Sequence, residues 1–300
     1  MNKTTGPIAA TLPQTHTRGA FGSMRMLRML HNTLVYGLLI VGSIVFLLPL
    51  VWMLSTSLKV SSAVFAYPPS FLPGSLQWHN YIDGWTALPF TTFLKNSVII
   101  TGANVIGNVV SCSLVAFGFS RLRARGRDLL FLLVLGTMMI PNEVTMVPRF
   151  ILFKQLGWVN TLGPLIVPAW FGYPFFIFLL RQFFMGIPRE LDEAAYMDGA
   201  SFLRVFWNVI LPLSKPALGA VAIFSFIGNW NNLLDPLIYL RSQDLYTIAL
   251  GLNLFLGQFV TVVNQLMAVS VLAVVPILVI FFFAQKMFVQ GVSLTGMGGR

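Results

Sequence analysis

Charge is scarce in this sequence. Of 300 residues, 19 are Lys or Arg and 9 are Asp or Glu, so 9% are charged, against roughly 25% in an ordinary soluble domain. So few charges cannot coat a soluble globule of this size. Cysteine is scarcer still: Cys112 stands alone, which excludes a disulfide scaffold. Three histidines (His16, His31 and His79) are scattered along the chain. With one cysteine they cannot build a zinc or iron cluster, and no metal or other cofactor is expected. No G-x-x-x-x-G-K-[ST] phosphate loop, H-E-x-x-H pair or G-x-S-x-G elbow occurs, so ATP is not bound by that loop and neither hydrolase pattern is present. The apolar runs carry almost no convergent polar groups, so an enzyme is not expected.

What the chain does have is apolar residues: 56% are hydrophobic, including 27 Phe. That content excludes disorder and leaves an integral membrane protein. A helix needs about 20 apolar residues to cross the hydrocarbon. Six runs qualify: 34–58, 96–120, 129–148, 161–180, 216–234 and 262–285. The expected fold is therefore all-α and polytopic, with six transmembrane helices. Residues 1–33 read as a basic tail, 34–290 as the six-span domain with a loop at 186–215, and 291–300 as a second tail. The apolar run after the tail is too long for a signal peptide.

The net charge of +10 invites a nucleic-acid reading. The basic residues, however, sit in clusters between uncharged runs, as membrane loops do, and no nucleic acid is expected. With six spans both termini share a side. Fourteen Lys and Arg fall on that side and five on the other. The positive-inside rule then places both termini in the cytoplasm, with the spans in contact with membrane lipid. Two external connections stand out, 59–92 and 235–261. The first carries Tyr67, Trp78, Tyr81 and Trp85, residues that settle at interfaces.

The connection after the fourth run is unusual. Residues 181–215 hold four bases and four acids. Pro188 suits a first helical turn, and Glu190, Asp192 and Glu193 complement the helix dipole. Gly199 ends or bends that helix. Ser201 can cap a second one, with Phe202, Val205, Phe206, Val209 and Ile210 on one face. Pro212 and Pro216 then break it. An amphipathic pair led by acids suits a groove in another protein better than a lipid surface, where basic residues are favoured.

These residues carry a resemblance. Glu193-Ala194-Ala195, then Gly199, then Leu211-Pro212 resembles the E-A-A signature of permease subunits in bacterial ATP-binding-cassette importers. Val209 stands where that signature has Ile. The longer stretch through Asp198 and Ala200 resembles the carbohydrate-uptake branch, and the maltose-type six-span permease most of all. Ile140-Pro141 and Leu156-Gly157-Trp158 are similar to that branch too. The glycine-rich end at 291–299 resembles the family tail but closes differently. The resemblance implies a second permease subunit, two ATP-binding subunits and an extracytoplasmic sugar-binding protein as partners. It also implies that Glu193, Ala194, Ala195, Asp198, Gly199, Ala200, Phe206, Leu211 and Pro212 couple the permease to the ATPase. Glu193 would face the ATPase and the second helix would lie in its cleft.

Asn229, Trp230, Asn231 and Asn232 in the fifth run, with Asn104 and Asn108 in the second, are candidates for a sugar pathway, since amides and aromatic faces bind sugars. Helix–helix adhesion is the competing role. Ala103, Gly107 and Ser111 read as a packing seam. Glu143 interrupts the third run and is a functional candidate as an intramembrane acid. An ion-coupled carrier would need more such groups at mid-membrane. A structural or insertase-type membrane protein would not need the loop. A glycerol-phosphate cargo would call for converging bases, and none lies deep in a predicted span, which leans towards neutral sugars.

Overall fold

The computed structural model describes residues 18–258 and 262–296, which form helices and connecting loops and, among the described residues, no strand. The glycine-rich close from 297 onward and most of the basic tail lie outside the described residues. Among the described residues four helices are long and apolar enough to cross a membrane, or up to six if each of two sharply bent pairs is one span. The chain divides into two compact units, 1–53 and 54–300.

The first unit is the greater part of helix α1, Arg18–Ser57. The helix starts well before Thr33, because the stretch after Arg18 is rich in Met, Leu and Arg, all good helix formers. Leu34, Leu38, Val45 and Phe46 are exposed. A helix apolar all round suits lipid or another membrane chain.

The second unit opens with a connection closed by α2 (His79–Ala87). Asn80 Nδ2 donates to Ser57 O at 2.8 Å and Lys59 O at 2.9 Å. Asn264 Nδ2 donates to Asn80 Oδ1 at 3.0 Å, so the connection is fastened to the last helix. Next comes α3 (Phe90–Arg121), the axis of the bundle. It packs against α6 (Pro174–Met185) and α9 (Lys215–Trp230), and α9 packs against α12 (Val263–Gly296). Small residues of α3 also let the Val167–Phe171 turn come close. A Cβ on Gly107 would come within 2.9 Å of the Trp170 indole, and Ser111 Oγ donates to Ala169 O at 3.2 Å.

The third apolar run departs most from expectation. It is two helices, α4 (Arg127–Thr137) and α5 (Asn142–Gln155), bent by 95°. Pro141 disfavours helical backbone at Ile140, so the helix stops there. Glu143 thus lies in the first turn of α5, where the dipole favours an acid, rather than inside a continuous span. The fourth run is also interrupted: a short turn at Gly163–Ile166 and a 3-10 turn at Val167–Phe171 precede α6. Gly172, at φ +90°, makes the corner, a conformation that favours glycine. The sixth helix, α12, continues past Gln285 to Gly296 without a break.

Candidate functional site

Two regions qualify, one at the arginine-rich end of the bundle and one within it. At the end, α7 (Glu190–Met197) starts with three acids in its first turn. Pro188 lies just before it, two residues ahead of the first helical position, Glu190. Gly199, at φ +79°, stops it. The Gly199 amide donates to Tyr196 O at 3.0 Å and the Ala200 amide to Ala195 O at 2.9 Å, a paired helix ending that requires the left-handed backbone. Ser201 Oγ accepts from the Arg204 amide and caps α8 (Phe202–Val205). That helix runs on through a π turn at Phe206–Ile210 and Leu211–Leu213. It meets α9 at 79° around Ser214.

The apolar stripe predicted for docking faces inward instead. Val205 and Ile210 are buried, Phe206 is 1% exposed, and Phe202 and Val209 are half-buried against the same cluster. Phe117 of α3 sits 4.4 Å from the Phe202 ring and 5.0 Å from Phe206. Phe206 is therefore a core residue and cannot touch a partner; the bundle needs that stripe for its own burial. The outer surface is made by others. Glu193, Ala194, Asp198 and Pro212 are exposed, and Ala195, Ala200 and Leu211 are half-buried. Met197, Leu203 and Trp207 are 88%, 59% and 57% exposed. Sequence reasoning missed Leu203 and Trp207, which follow from the same helical spacing read on the opposite face.

It also missed Asp192. Read from sequence as one of three acids serving the dipole, it is buried and pairs with Arg121 at the end of α3, Oδ2 to Nε 2.9 Å. Arg121 Nη2 donates to Ile187 O at 2.9 Å. Burial pushes the Asp192 carboxyl above its ordinary value, while Arg121 and then Arg189 pull it back.

Within the bundle lies a cavity of roughly 490 Å³. Four predicted pathway residues line it: Asn104, Asn108, Asn229 and Asn232. Asn104 Nδ2 donates to Leu165 O at 2.9 Å and to Asn229 Oδ1. Asn108 Nδ2 donates to Ser225 Oγ at 2.9 Å. These amides join helices with their nitrogens, and the Oδ1 atoms of Asn104 and Asn108 are buried without a protein partner. The same side chains thus join helices and line the cavity.

Trp230 and Asn231 are not among the cavity's lining residues. Trp230 is 4% exposed, stacks on Phe226 and donates from Nε1 to Ala273 O at 3.1 Å. Asn231 faces outward and donates to Ile227 O of its own helix at 2.9 Å. Consecutive helical residues point about 100° apart, so one run of four cannot all face the same space.

The bend before α5 brings Asn142, Glu143 and Arg149 to the cavity. Arg149 Nη2 approaches Asp235 Oδ1 at 4.0 Å. A basic residue thus does reach the site, contrary to the sequence expectation, because the predicted straight span is folded over. The Tyr239 hydroxyl is buried there without a hydrogen bond. Burial raises its pKa; Arg149 lowers it and Asp235 adds to the rise. Asn160, at φ +63°, positions this segment: its Oδ1 accepts from the Arg241 and Ser242 amides at 2.9 and 2.8 Å.

A family model described as binding-protein-dependent transport system inner membrane component matches residues 109–294. The chain is 37% identical over 230 residues to the arabinooligosaccharides transport system permease protein AraQ of Halalkalibacterium halodurans, covering 76% of this chain and 82% of that protein. It is 33% identical over 277 residues to the trehalose/maltose transport system permease protein MalG of Thermococcus litoralis, covering 88% and 97%. In fold it resembles a chain from the crystal structure of a bacterial ABC transporter involved in the import of the acidic polysaccharide alginate, with a TM-score of 0.75 and 24% identity over 91% of this chain and 99% of that one. The match over more than half of the chain, on an all-helical bundle with several membrane-crossing helices, makes this protein a member of the binding-protein-dependent transport system inner membrane component family: a permease subunit, and not an enzyme.

Proposed function

We propose that this permease carries a sugar or oligosaccharide into the cell, in a complex with a second permease subunit, two ATP-binding subunits and an extracytoplasmic binding protein that hands over the cargo. The observation that carries the reading is the surface of the 190–213 segment. Glu193, Met197, Leu203 and Trp207 are exposed along it, while Asp192, Val205, Phe206 and Ile210 are packed into the bundle. An acid and bare apolar side chains carried on one packed segment suit a docking surface for a partner. The Lys and Arg asymmetry supports a cytoplasmic position for that surface and for both termini.

The cavity supports a neutral cargo. Its charged lining residues are two acids, Glu143 and Asp235, and one base, Arg149. That balance disfavours a phosphate ester, which is bound by converging bases. The unpartnered Asn oxygens and the Tyr239 hydroxyl offer hydrogen bonds suited to sugar hydroxyls. Such a cargo crosses when ATP favours one of two arrangements of the bundle.

The test is Glu193→Lys in the complex reconstituted with its ATP-binding subunits and second permease. ATP hydrolysis stimulated by the sugar-loaded binding protein should collapse while membrane assembly persists. Unchanged stimulation and uptake would reject the docking role.

A further inference from the structure

Asp192 is the one buried residue of α7. Its neighbours Leu191, Glu193, Ala194 and Met197 are exposed. The helix that bears Glu193 therefore meets the bundle through the half-buried Ala195, packed on the apolar cluster, and through one buried acidic side chain, Asp192. That side chain meets Arg121, the last residue of α3, and the two side chains are 9% and 5% exposed. Arg121 also holds the Ile187 carbonyl ahead of α7, so one guanidinium grips the segment at two points.

Stability does not explain this arrangement well. A buried ion pair loses the hydration of both charges, and well-packed apolar residues in its place are often at least as stable. This pair is also incompletely satisfied: Asp192 Oδ1 is buried without a hydrogen-bond partner. What the pair does supply is a directional tie between two helices that a greasy contact would let slide. At the other end of that tie, α3 runs from Phe90 to Arg121 with no proline inside it. Without a proline kink a helix moves much as a rod. Asn108 and Asn104 lie 13 and 17 residues before Arg121, roughly 20 and 26 Å up the axis at 1.5 Å per residue.

We infer that the Arg121–Asp192 pair is the positioning link through which displacement of α7 is transmitted to α3 and its cavity-lining Asn104 and Asn108. The inference rests on the docking role proposed for the Glu193 surface. It adds that the movement enters the bundle through this pair, and that Arg121 and Asp192 themselves touch neither cargo nor ATPase. Both members are needed. Removing one leaves the other charge buried and alone, whereas replacing both with apolar residues keeps the fold and removes only the tie.

The experiment uses the whole complex with a reporter inside the cavity. Cys112 is the sole cysteine of this chain, so Cys112→Ser removes its own thiol, and the partner subunits are made cysteine-free. Gly228 lines the cavity and has open space where a Cβ would go, so Gly228→Cys supplies a thiol. Its rate of reaction with a membrane-impermeant maleimide is measured without nucleotide and after trapping with Mg-ATP and vanadate. In the parent complex trapping should change that rate. A parent that shows no change rejects the docking reading itself.

Given that change, Arg121→Met with Asp192→Leu should lose it, while the ATP-binding subunits still co-purify and still hydrolyse ATP. Arg121→Lys, which keeps the opposite charges, should retain it. An Arg121→Met, Asp192→Leu complex that keeps the full response overturns the link and leaves the docking reading intact. A doubly substituted complex that no longer holds the ATP-binding subunits also overturns it, since the pair would then serve docking rather than transmission.

Discussion

Asn104 and Asn229, 125 residues apart, meet side chain to side chain at the wall of the cavity. The Asn229 amide nitrogen also donates to Ser225 O at 2.7 Å, and Asn104 holds Leu165 O. One amide pair thus ties α3 to α9 and to the interrupted fourth span. Asn229→Ala leaves the Asn104 amide short of an acceptor in a buried place. The expected loss is about 1–3 kcal/mol, read as a lower unfolding midpoint of the purified complex. Asn231→Ala, whose amide bonds only its own helix, should change stability by less than about 0.5 kcal/mol.

Close packing gives a second contrast. A Cβ on Gly251 of α11 (Ile248–Gln258) would collide with the Phe93 ring and approach Phe90 at 3.2 Å. Both rings are fully buried and have nowhere to go. Gly251→Ala should cost about 1–3 kcal/mol by overpacking. Gly102→Ala, with nothing near its Cβ, should be neutral or slightly stabilising, since mid-helix glycine is itself unfavourable by roughly 0.5–1 kcal/mol. Thermal unfolding of the two variants checks the pair.

Gly199 tests backbone conformation without steric complication. Nothing lies within 4 Å of its Cβ position, yet φ is +79°. Gly199→Ala should therefore cost about 1–2 kcal/mol from the left-handed backbone alone. The expected signs are faster proteolysis near 199 and weaker stimulation of ATP hydrolysis. Gly199→Asn should be milder, because asparagine tolerates that conformation.

Phe206 and Trp207 are sequence neighbours with opposite roles. Phe206→Ala removes a buried ring from the cluster around Phe117 and should destabilise the chain by about 3–5 kcal/mol. Trp207→Ala removes an exposed ring and should leave the unfolding midpoint near that of the parent. Its effect should appear as reduced co-purification of the ATP-binding subunits. Swapped outcomes would mean that the faces of this segment have been assigned the wrong way round.

Much of this was legible beforehand because its physics is local. Gly199 and Ser201 act within one turn of themselves, so the helix end and the next cap follow from residue type and spacing. The third span was misread for a reason that is also local: Pro141 is visible in the sequence, but apolar content continued on both sides of it and masked the break. The cavity required more. Arg149 belongs to it because α5 turns back by 95°, and Trp230 does not because its indole finds the Ala273 carbonyl of α12.

Scarcity of charge and the length of the apolar runs are enough to make this a helical membrane protein before any coordinates are seen. The family follows from a motif whose spacing survives only where a helix, a turn and a second helix must follow in order. Which face of that motif is free depends on how the helices pack in three dimensions. Burial is set by what lies opposite a side chain: Phe117 stands opposite Phe206 and Arg121 opposite Asp192, and both come from a helix some 70 to 90 residues earlier. No periodicity within 190–213 records that, because a stripe that can dock in a partner and a stripe that packs into its own bundle have the same spacing.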